Sequence, residues 1–288
     1  MQSLTLKSFP QCLKRERNGS FFYGIIIAVF LVRGLLPWMI LWISTPGLGF
    51  LGSFIASVSS DPAVIKAIQE SAPVLLIGGG TFLVFLFLHW LFLESKYYGL
   101  IGEKLVQRYS AWFYAIVSVL LVTIVWMSIK HNPLMALGAV IGSSAFFISH
   151  GFKENAEQAE RRIIEGSGAI SDVSKIFYLE AIDMSFSIDG VLGAFAFTFV
   201  IPLILIGNGI GAIVVRQLTV ANIERVKKYR FLKNGAMYSI FTLGGVMICH
   251  SFGLHIPDWL SPILTFLIIG YFFWKSLKVL KMESQGLF

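Results

Sequence analysis

The chain has 288 residues, of which 56% are hydrophobic and only 14% are charged. A soluble domain has about 25% charged residues, so this composition excludes an ordinary soluble enzyme. The net charge is +7, but the basic residues lie between hydrophobic segments rather than on one continuous face. We therefore expect no nucleic-acid partner and attribute the positive charge to orientation in a lipid bilayer.

No Ser/His/Asp or Cys/His set occurs at catalytic spacing, so we expect no enzymatic activity. The two cysteines, Cys12 and Cys249, lie in a basic tail and in an apolar segment. Their positions suggest neither a disulfide nor a metal site.

Eight apolar segments follow one another along the chain, and we interpret each as a membrane-spanning helix. They are residues 21–43, 72–93, 111–129, 133–149, 176–200, 201–215, 235–254 and 260–274. The sixth and eighth are short, at about 15 residues, and Pro202 directly follows the fifth, so seven to nine spans fit the pattern. The predicted fold class is all-α, a polytopic transmembrane helical bundle.

The distribution of Lys and Arg predicts the orientation of this bundle. With a cytoplasmic N-terminus, 20 of the 23 basic residues lie in cytoplasmic segments, whereas Lys66 and Lys130 lie outside and Arg33 lies within a span. Both termini are therefore predicted to be cytoplasmic. Because Arg33 interrupts the first apolar segment and no small-residue cleavage site follows it, we expect a retained helix rather than a signal peptide.

Two long connections divide the predicted spans. Residues 44–71 are predicted to form an external loop, and residues 151–172 a cytoplasmic linker with a short charged helix before Gly166-Ser167-Gly168. We favour a solvated linker over metal capture by its glutamates. The resulting organisation is a basic tail (1–20), a first membrane half (21–150), the linker (151–172), a second membrane half (173–280) and a C-terminal tail (281–288).

The fifth span is the most informative segment, because it places Glu180, Asp183 and Asp189 in an apolar run of 25 residues. A charge at the centre of a membrane helix costs about 2.5–3.5 kcal/mol on insertion scales. These carboxylates therefore need partners or a function. Glu180, Asp183 and Ser187 share one helical face, whereas Asp189 lies about 120° away, and the Ser- and Gly-rich run around Ser187 favours a broken helix that turns carbonyl oxygens toward a cavity.

Carboxylates, hydroxyls and carbonyls are the ligands preferred by Ca²⁺, Mg²⁺ and Mn²⁺. A divalent-cation site in the fifth span is therefore one hypothesis. The alternative is structural: Asp183 or Asp189 is neutralised by Arg33 or Arg216, or stays protonated. Arg33 is the favoured counter-charge because it lies in the middle of a span.

The sixth span contains Asn208 among alternating glycines, and close packing of another helix is the favoured interpretation. His89, His150 and His250 lie near span ends, where an interfacial ring is commoner than a metal ligand. Only Glu94, about one turn after His89, makes that pair a candidate for a site.

The run 179–191 resembles the acidic signature of TerC-like integral membrane proteins, in which an acidic residue, a serine and an aspartate before Asn or Gly recur at this spacing. The resemblance continues through residues 27–37, 207–216, 229–235 and 256–259. It implies a bacterial cytoplasmic-membrane protein with the lysine-exporter-like fold of two related halves. Members are linked to tellurium resistance and to export of manganese or calcium.

This resemblance implies that Asp183, Ser187 and Asp189 ligate the cation, with Glu180 as an added carboxylate. The family pattern has a second acidic signature before the helix that contains Arg33, whereas here a basic tail of 20 residues precedes Phe21. On this comparison the first signature helix is lacking. An upstream start, a truncated paralogue and a homodimer all remain open.

The overall expectation is a membrane protein that exports a divalent metal ion, Mn²⁺ or Ca²⁺, from the cytoplasm. Asp189 and Asp183 are its principal ligands, Ser187 and Glu180 support them, and Asn208 and Arg33 are neighbours. Proton exchange at the same carboxylates is the expected coupling, because metal binding requires them deprotonated. The alternative is a non-transporting membrane scaffold or stress-response subunit whose intramembrane acids are paired structurally.

Overall fold

The structure, a computed structural model, describes residues 38, 42, 47, 49–58, 62–164, 193–194, 197–198, 200, 202–204, 206–211, 214, 228–254, 256–257 and 259–284. All regular secondary structure in these ranges is helical, which confirms the predicted class. The helices are α1 (Gly49–Val58), α2 (Pro62–Leu93), α3 (Ile101–Arg108), α4 (Phe113–His131), α5 (Pro133–Ile164), α6 (Leu232–Ser251) and α7 (Leu260–Ser284), with a 3-10 turn at Ser110–Trp112.

Four stretches are long and apolar enough to cross a bilayer: Glu70–Leu93, Ser110–His131, Pro133–Phe152 and Leu260–Glu283. They correspond to the second, third, fourth and eighth predicted spans and indicate a membrane protein. The seventh predicted span is helical as α6, but it is more polar than these four. The sixth corresponds to a shorter apolar helix, Pro202–Gly211, while most of the first and fifth spans lies outside the described residues.

The connection predicted at residues 44–71 is partly helical rather than an irregular loop. This stretch contains α1 and the first turns of α2, which begins at Pro62. Proline lacks a backbone N–H and is favoured in the first turn of a helix. Pro62 therefore marks a helix start.

The charged helix predicted within residues 151–172 is present as far as Ile164, but it is continuous with the fourth span, because α5 runs without a break from Pro133 to Ile164. No proline interrupts residues 149–164, and Glu, Lys, Arg, Gln and Ala are good helix formers. The charged residues extend the fourth span beyond its apolar part.

The start of α5 is set by Asn132, which has extended backbone angles of φ −157° and ψ 119°. Its side-chain Oδ1 accepts a hydrogen bond from the Leu134 N–H at 2.9 Å, and its carbonyl accepts one from Met135. Asn132 thereby caps α5, and Pro133 occupies the first helical position. The tight connection makes α4 and α5 packed neighbours.

Helix α2 is central to the described bundle. In its candidate membrane span 67% of the residues are buried, against 11% in that of α7. Helix α2 packs against α5 and α6, α4 packs against α5, and α7 packs against α6. The main buried cluster consists of Leu76, Phe82, Leu83, Phe85, Phe92, Phe113, Val117, Phe146 and Met247.

Glycines bring the backbones of these helices together. A Cβ atom at Gly142 of α5 would lie 2.0 Å from the Gly78 carbonyl oxygen, and one at Gly80 would lie 2.8 Å from the Gly244 carbonyl oxygen in α6. Gly78 and Gly80 are separated by about 200° around α2. Small residues therefore fix α5 and α6 against opposite sides of α2.

The last two helices differ from their predicted bounds. Helix α6 ends before residue 254 because Gly253 adopts a left-handed φ of 81°, and the Leu254 N–H donates to the Cys249 carbonyl at 3.1 Å. Helix α7 continues for 25 residues to Ser284 rather than ending at residue 274. Lys275 and Lys278 stay within it, because long basic side chains extend toward water without interrupting a helix.

Candidate functional site

The predicted metal ligands Glu180, Asp183, Ser187 and Asp189, together with Arg33, lie outside the described residues. The nearest described position after them is Gly193, which is helical and lies four residues beyond Asp189. A Cβ atom there would lie 3.3 Å from Leu243 Cδ2 on α6. Leu243 packs against the main buried cluster, so the chain just after the predicted ligands lies beside the centre of the bundle.

Asn208, the predicted polar neighbour of the metal ligands, lies in the helical stretch 206–211 and is half-buried. Within the part of the chain that the structure describes, the close helix packing expected around it is not found at two of its glycines. Among the described residues, no atom lies within 4 Å of a Cβ built at Gly207 or Gly211. The close contacts lie instead at Gly78, Gly142, Gly80 and Gly244.

Sequence analysis missed a buried carboxylate, Glu103, on the short helix α3. This residue is 1% exposed. Its Oε2 accepts hydrogen bonds from the Gly99 N–H at 2.8 Å and from Asn234 Nδ2 at 3.0 Å, and its Oε1 accepts one from the Tyr238 hydroxyl at 3.1 Å. We call Gly99, Glu103, Asn234 and Tyr238 the Glu103 cluster.

The contacts of Glu103 with Asn234 and Tyr238 join two different parts of the fold. Gly99 and Glu103 belong to the connection after α2, whereas Asn234 and Tyr238 lie one turn apart on α6. Asn234 is itself 1% exposed and also donates to the Tyr97 carbonyl at 2.9 Å. Hydrogen bonds to charged groups each contribute about 1.5–3 kcal/mol, so this cluster fixes the connection after α2 against α6.

Helix α7 reaches the same cluster through Gly99. A Cβ atom at Gly99 would lie 2.6 Å from the ring of Phe272 and 2.9 Å from Asn234 Nδ2, so only glycine fits there. The Lys275 ammonium donates to the Gly99 carbonyl. Ser276 Oγ accepts a hydrogen bond from the Phe231 N–H at 3.0 Å, which joins α7 to the start of α6.

Lys96 caps the C-terminal end of α2 beside the Glu103 cluster. Its ammonium donates to the Trp90 and Leu91 carbonyls at 3.0 and 2.6 Å and lies 3.9 Å from the centre of the Trp90 ring. Burial lowers the pKa of Lys96 to about 8, although the nearby charges of Glu103 and Glu94 raise it. A cation at a helix C-terminus is favourable for the exposed carbonyls and the helix dipole.

Two histidines meet inside the bundle at the same end. The ring centres of His89 on α2 and His150 on α5 are 3.9 Å apart, and the His150 ring stacks on Phe146 at an angle of 7°. Glu94, which the sequence offers as a companion of His89, forms an ion pair with Lys233 at the start of α6.

The remaining predicted histidine, His250, has a structural role. Its Nε2 accepts a hydrogen bond from the Ile256 N–H at 3.1 Å. It thus holds the connection between α6 and α7. Within the described ranges, no three His, Cys, Asp or Glu side chains form a group that could hold a metal ion.

A family model described as "Protein of unknown function (DUF475)" matches residues 12–283. The match includes every helix from α1 to α6 and nearly all of α7. The chain belongs to the DUF475 family. No curated protein and no solved structure matches it.

In this DUF475 protein, the described side chains provide two kinds of polar chemistry at one end of the bundle. The Glu103 cluster is a carboxylate held by amide, hydroxyl and backbone donors, an arrangement that stabilises a fixed geometry. The His89–His150 pair offers two imidazoles, groups that bind protons or transition metals. The related sequence feature is the i, i+4 spacing of Asn234 and Tyr238, which places two hydrogen-bonding side chains on one face of α6.

Proposed function

We propose that this DUF475 protein is an integral membrane transporter that exports a divalent cation, Mn²⁺ or Ca²⁺, from the cytoplasm. The observation that carries the proposal is the placement of Glu180, Asp183 and Asp189 in one apolar segment. Three unpaired charges there would cost roughly 8–10 kcal/mol on insertion scales. A bound cation offsets that cost and gives the carboxylates a use.

In this proposal Asp183 and Asp189 are the principal ligands, Ser187 and Glu180 support them, and Asn208 and Arg33 are neighbours. The contact of Gly193 with Leu243 supports it, because the chain next to Asp189 then lies beside the bundle centre. The resemblance of residues 179–191 to the TerC-like signature favours the same ligands. Both termini lie in the bacterial cytoplasm on this proposal.

Proton exchange is the proposed coupling. A divalent cation binds carboxylates only in their deprotonated form, so protons and metal compete for the same oxygens. A carboxylate near the bilayer centre that alternates between the two can exchange outward metal for inward protons.

A second candidate function is a non-transporting membrane scaffold or stress-associated subunit. The Glu103 cluster favours it, because this fold already buries one acid completely by hydrogen bonding alone. Acids in the fifth span held in the same way would need no cation.

The test is the manganese and calcium content of bacteria that lack their own exporters for these ions. Cells carry the intact chain, Asp183→Asn, Asp189→Asn or the control Glu154→Gln, which removes an exposed carboxylate of α5. We expect lower metal content with the intact chain and the control only. Equal content of both ions in all strains, with each protein verified in the membrane, would contradict export of Mn²⁺ and Ca²⁺ and favour the second candidate.

A further inference from the structure

A groove of about 540 Å³ lies where α2 ends and α4 begins, beneath the short helix α3. Its lining is apolar and aromatic, formed by Phe92, Leu105, Val106, Tyr109, Trp112 and Ile116. The candidate span in α2 ends at Leu93, and the next candidate span begins at Ser110. The groove therefore opens at the level where the hydrocarbon core meets the headgroups.

Several large apolar and aromatic side chains at this groove are exposed. Trp112 is 62% exposed, Tyr109 54% and Leu105 60%. Trp and Tyr are enriched at membrane interfaces, where their rings sit at headgroup level. Apolar side chains in this position favour contact with a lipid acyl chain over contact with water.

Helix α3 places two cations beside the groove. Lys104 and Arg108 precede Leu105 and Tyr109 by one residue each, so they form a neighbouring stripe about 100° around the helix. Both are exposed, and among the described residues neither forms an ion pair. Glu103, the acid of the same helix, is buried, so the exposed charges of α3 are the basic ones of Lys104 and Arg108.

We propose that this groove is a binding site for an anionic phospholipid. One acyl chain lies along Trp112 and Ile116, and the phosphate and acidic headgroup contact Lys104 and Arg108. Arg presents a planar set of donors that matches a phosphate, and Lys adds a second positive charge. Charge complementarity selects an anionic over a zwitterionic lipid, and this proposal is independent of the proposed transport function.

The experiment uses the fluorescence of Trp112 in the full-length chain reconstituted into phosphatidylcholine vesicles. Brominated phosphatidylglycerol or brominated phosphatidylcholine is added at equal mole fractions, since bromine quenches a tryptophan that it contacts. The Trp112 signal is the difference between each protein and its Trp112→Phe counterpart. Each basic side chain near an anionic surface favours binding roughly fivefold, so we expect brominated phosphatidylglycerol to quench Trp112 at least about fivefold more effectively.

The matched variants remove two charges each. Lys104→Gln/Arg108→Gln should abolish the preference for phosphatidylglycerol, whereas Lys228→Gln/Lys278→Gln, which removes one exposed cation four residues before α6 and one from α7, should retain it. Equal quenching by the two lipids, or a preference that survives in Lys104→Gln/Arg108→Gln, would overturn the proposal. Absence of quenching by either lipid would also overturn it, because another protein surface, such as a second copy, would then cover the groove.

Discussion

The side-chain amide of Asn234 lies 3.0 Å from the carboxylate of Glu103, although the two residues are 131 positions apart in the chain. Both are 1% exposed. The contact joins α3, which follows the central helix, to the start of α6. Glu103 accepts hydrogen bonds from neutral donors on both parts of the fold. It therefore fixes the relative position of these helices.

We expect Glu103→Ala to lower the free energy of unfolding by about 2–4 kcal/mol, because two buried donors, Gly99 and Asn234, and the half-buried Tyr238 lose their acceptor. Glu103→Gln should lower it by less, since one oxygen remains, but its new amide faces the donors of Gly99 and Asn234. Unfolding of the detergent-solubilised protein by sodium dodecyl sulfate, followed by circular dichroism, measures the change. The control Glu154→Gln, at an exposed position, should leave it unchanged.

A swapped pair separates the Glu103–Asn234 contact from general damage. In Glu103→Gln/Asn234→Asp the amide and the carboxylate exchange places, so one donor again faces one acceptor. We expect the double variant to recover part of the stability lost in Glu103→Gln. If the double variant loses more free energy of unfolding than the two single variants lose together, this contact does not fix the position of the helices.

The glycine contact between α2 and α5 gives a second prediction. Gly142→Ala places a methyl group 2.0 Å from the Gly78 carbonyl oxygen, a backbone atom that cannot rotate away. Overpacking of a helix contact costs about 1–3 kcal/mol, and we expect that loss in the same unfolding measurement. Gly151→Ala on the same helix meets no atom within 4 Å among the described residues and should be neutral or slightly stabilising.

The predictable part of the fold consists of features that are local in sequence. Uninterrupted apolar runs at residues 72–93, 111–129 and 133–149 located three candidate membrane spans closely, at Glu70–Leu93, Ser110–His131 and Pro133–Phe152. Helix ends were less predictable where the determinant is a single residue. Pro62 starts α2 inside a predicted loop, and Gly253 ends α6 three residues before its predicted end.

The Glu103 cluster was not predictable for a different reason. In the sequence, Glu103 is one acid among Lys96, Lys104 and Arg108, a pattern typical of a solvated loop. Its burial results from Asn234 and Tyr238, which are more than 100 residues away. The sequence pattern within residues 94–109 does not indicate those contacts. The ion pair between Glu94 and Lys233, 139 positions apart, was not predictable for the same reason.

The cap of α5 provides a third prediction. Asn132→Ala removes the side-chain acceptor of the Leu134 N–H and should cost about 1 kcal/mol of stability, as loss of an N-cap does. Asn132→Ser retains an acceptor of suitable reach and should restore most of that loss. Thermal unfolding of the three proteins in the same detergent compares them. Equal unfolding temperatures for Asn132→Ala and the intact chain would show that Pro133 alone sets the start of α5.

The fourth prediction concerns the proton on Lys96. Burial lowers its pKa to about 8 from the ordinary 10.5, so the unfolded chain binds more protons at this residue between those two values. The contribution of Lys96 to the free energy of unfolding should therefore rise with pH across this window and be constant below it. Relative to Lys96→Met, the intact chain should gain stability from pH 8 to pH 10.5.

A direct measurement is the rate of acetylation of Lys96, followed residue by residue with mass spectrometry from pH 6 to pH 11. Only the neutral amine reacts, so the rate should reach half its maximum near pH 8, as the lowered pKa requires. Glu103→Gln removes a negative charge that raises the pKa of Lys96, and the midpoint should move to lower pH. Glu154→Gln, which removes a charge from the exposed surface of α5, should leave it in place. A midpoint near 10.5 in the intact chain would mean that Lys96 is solvated rather than held over Trp90. Its hydrogen bonds to the last turn of α2 would then be ruled out.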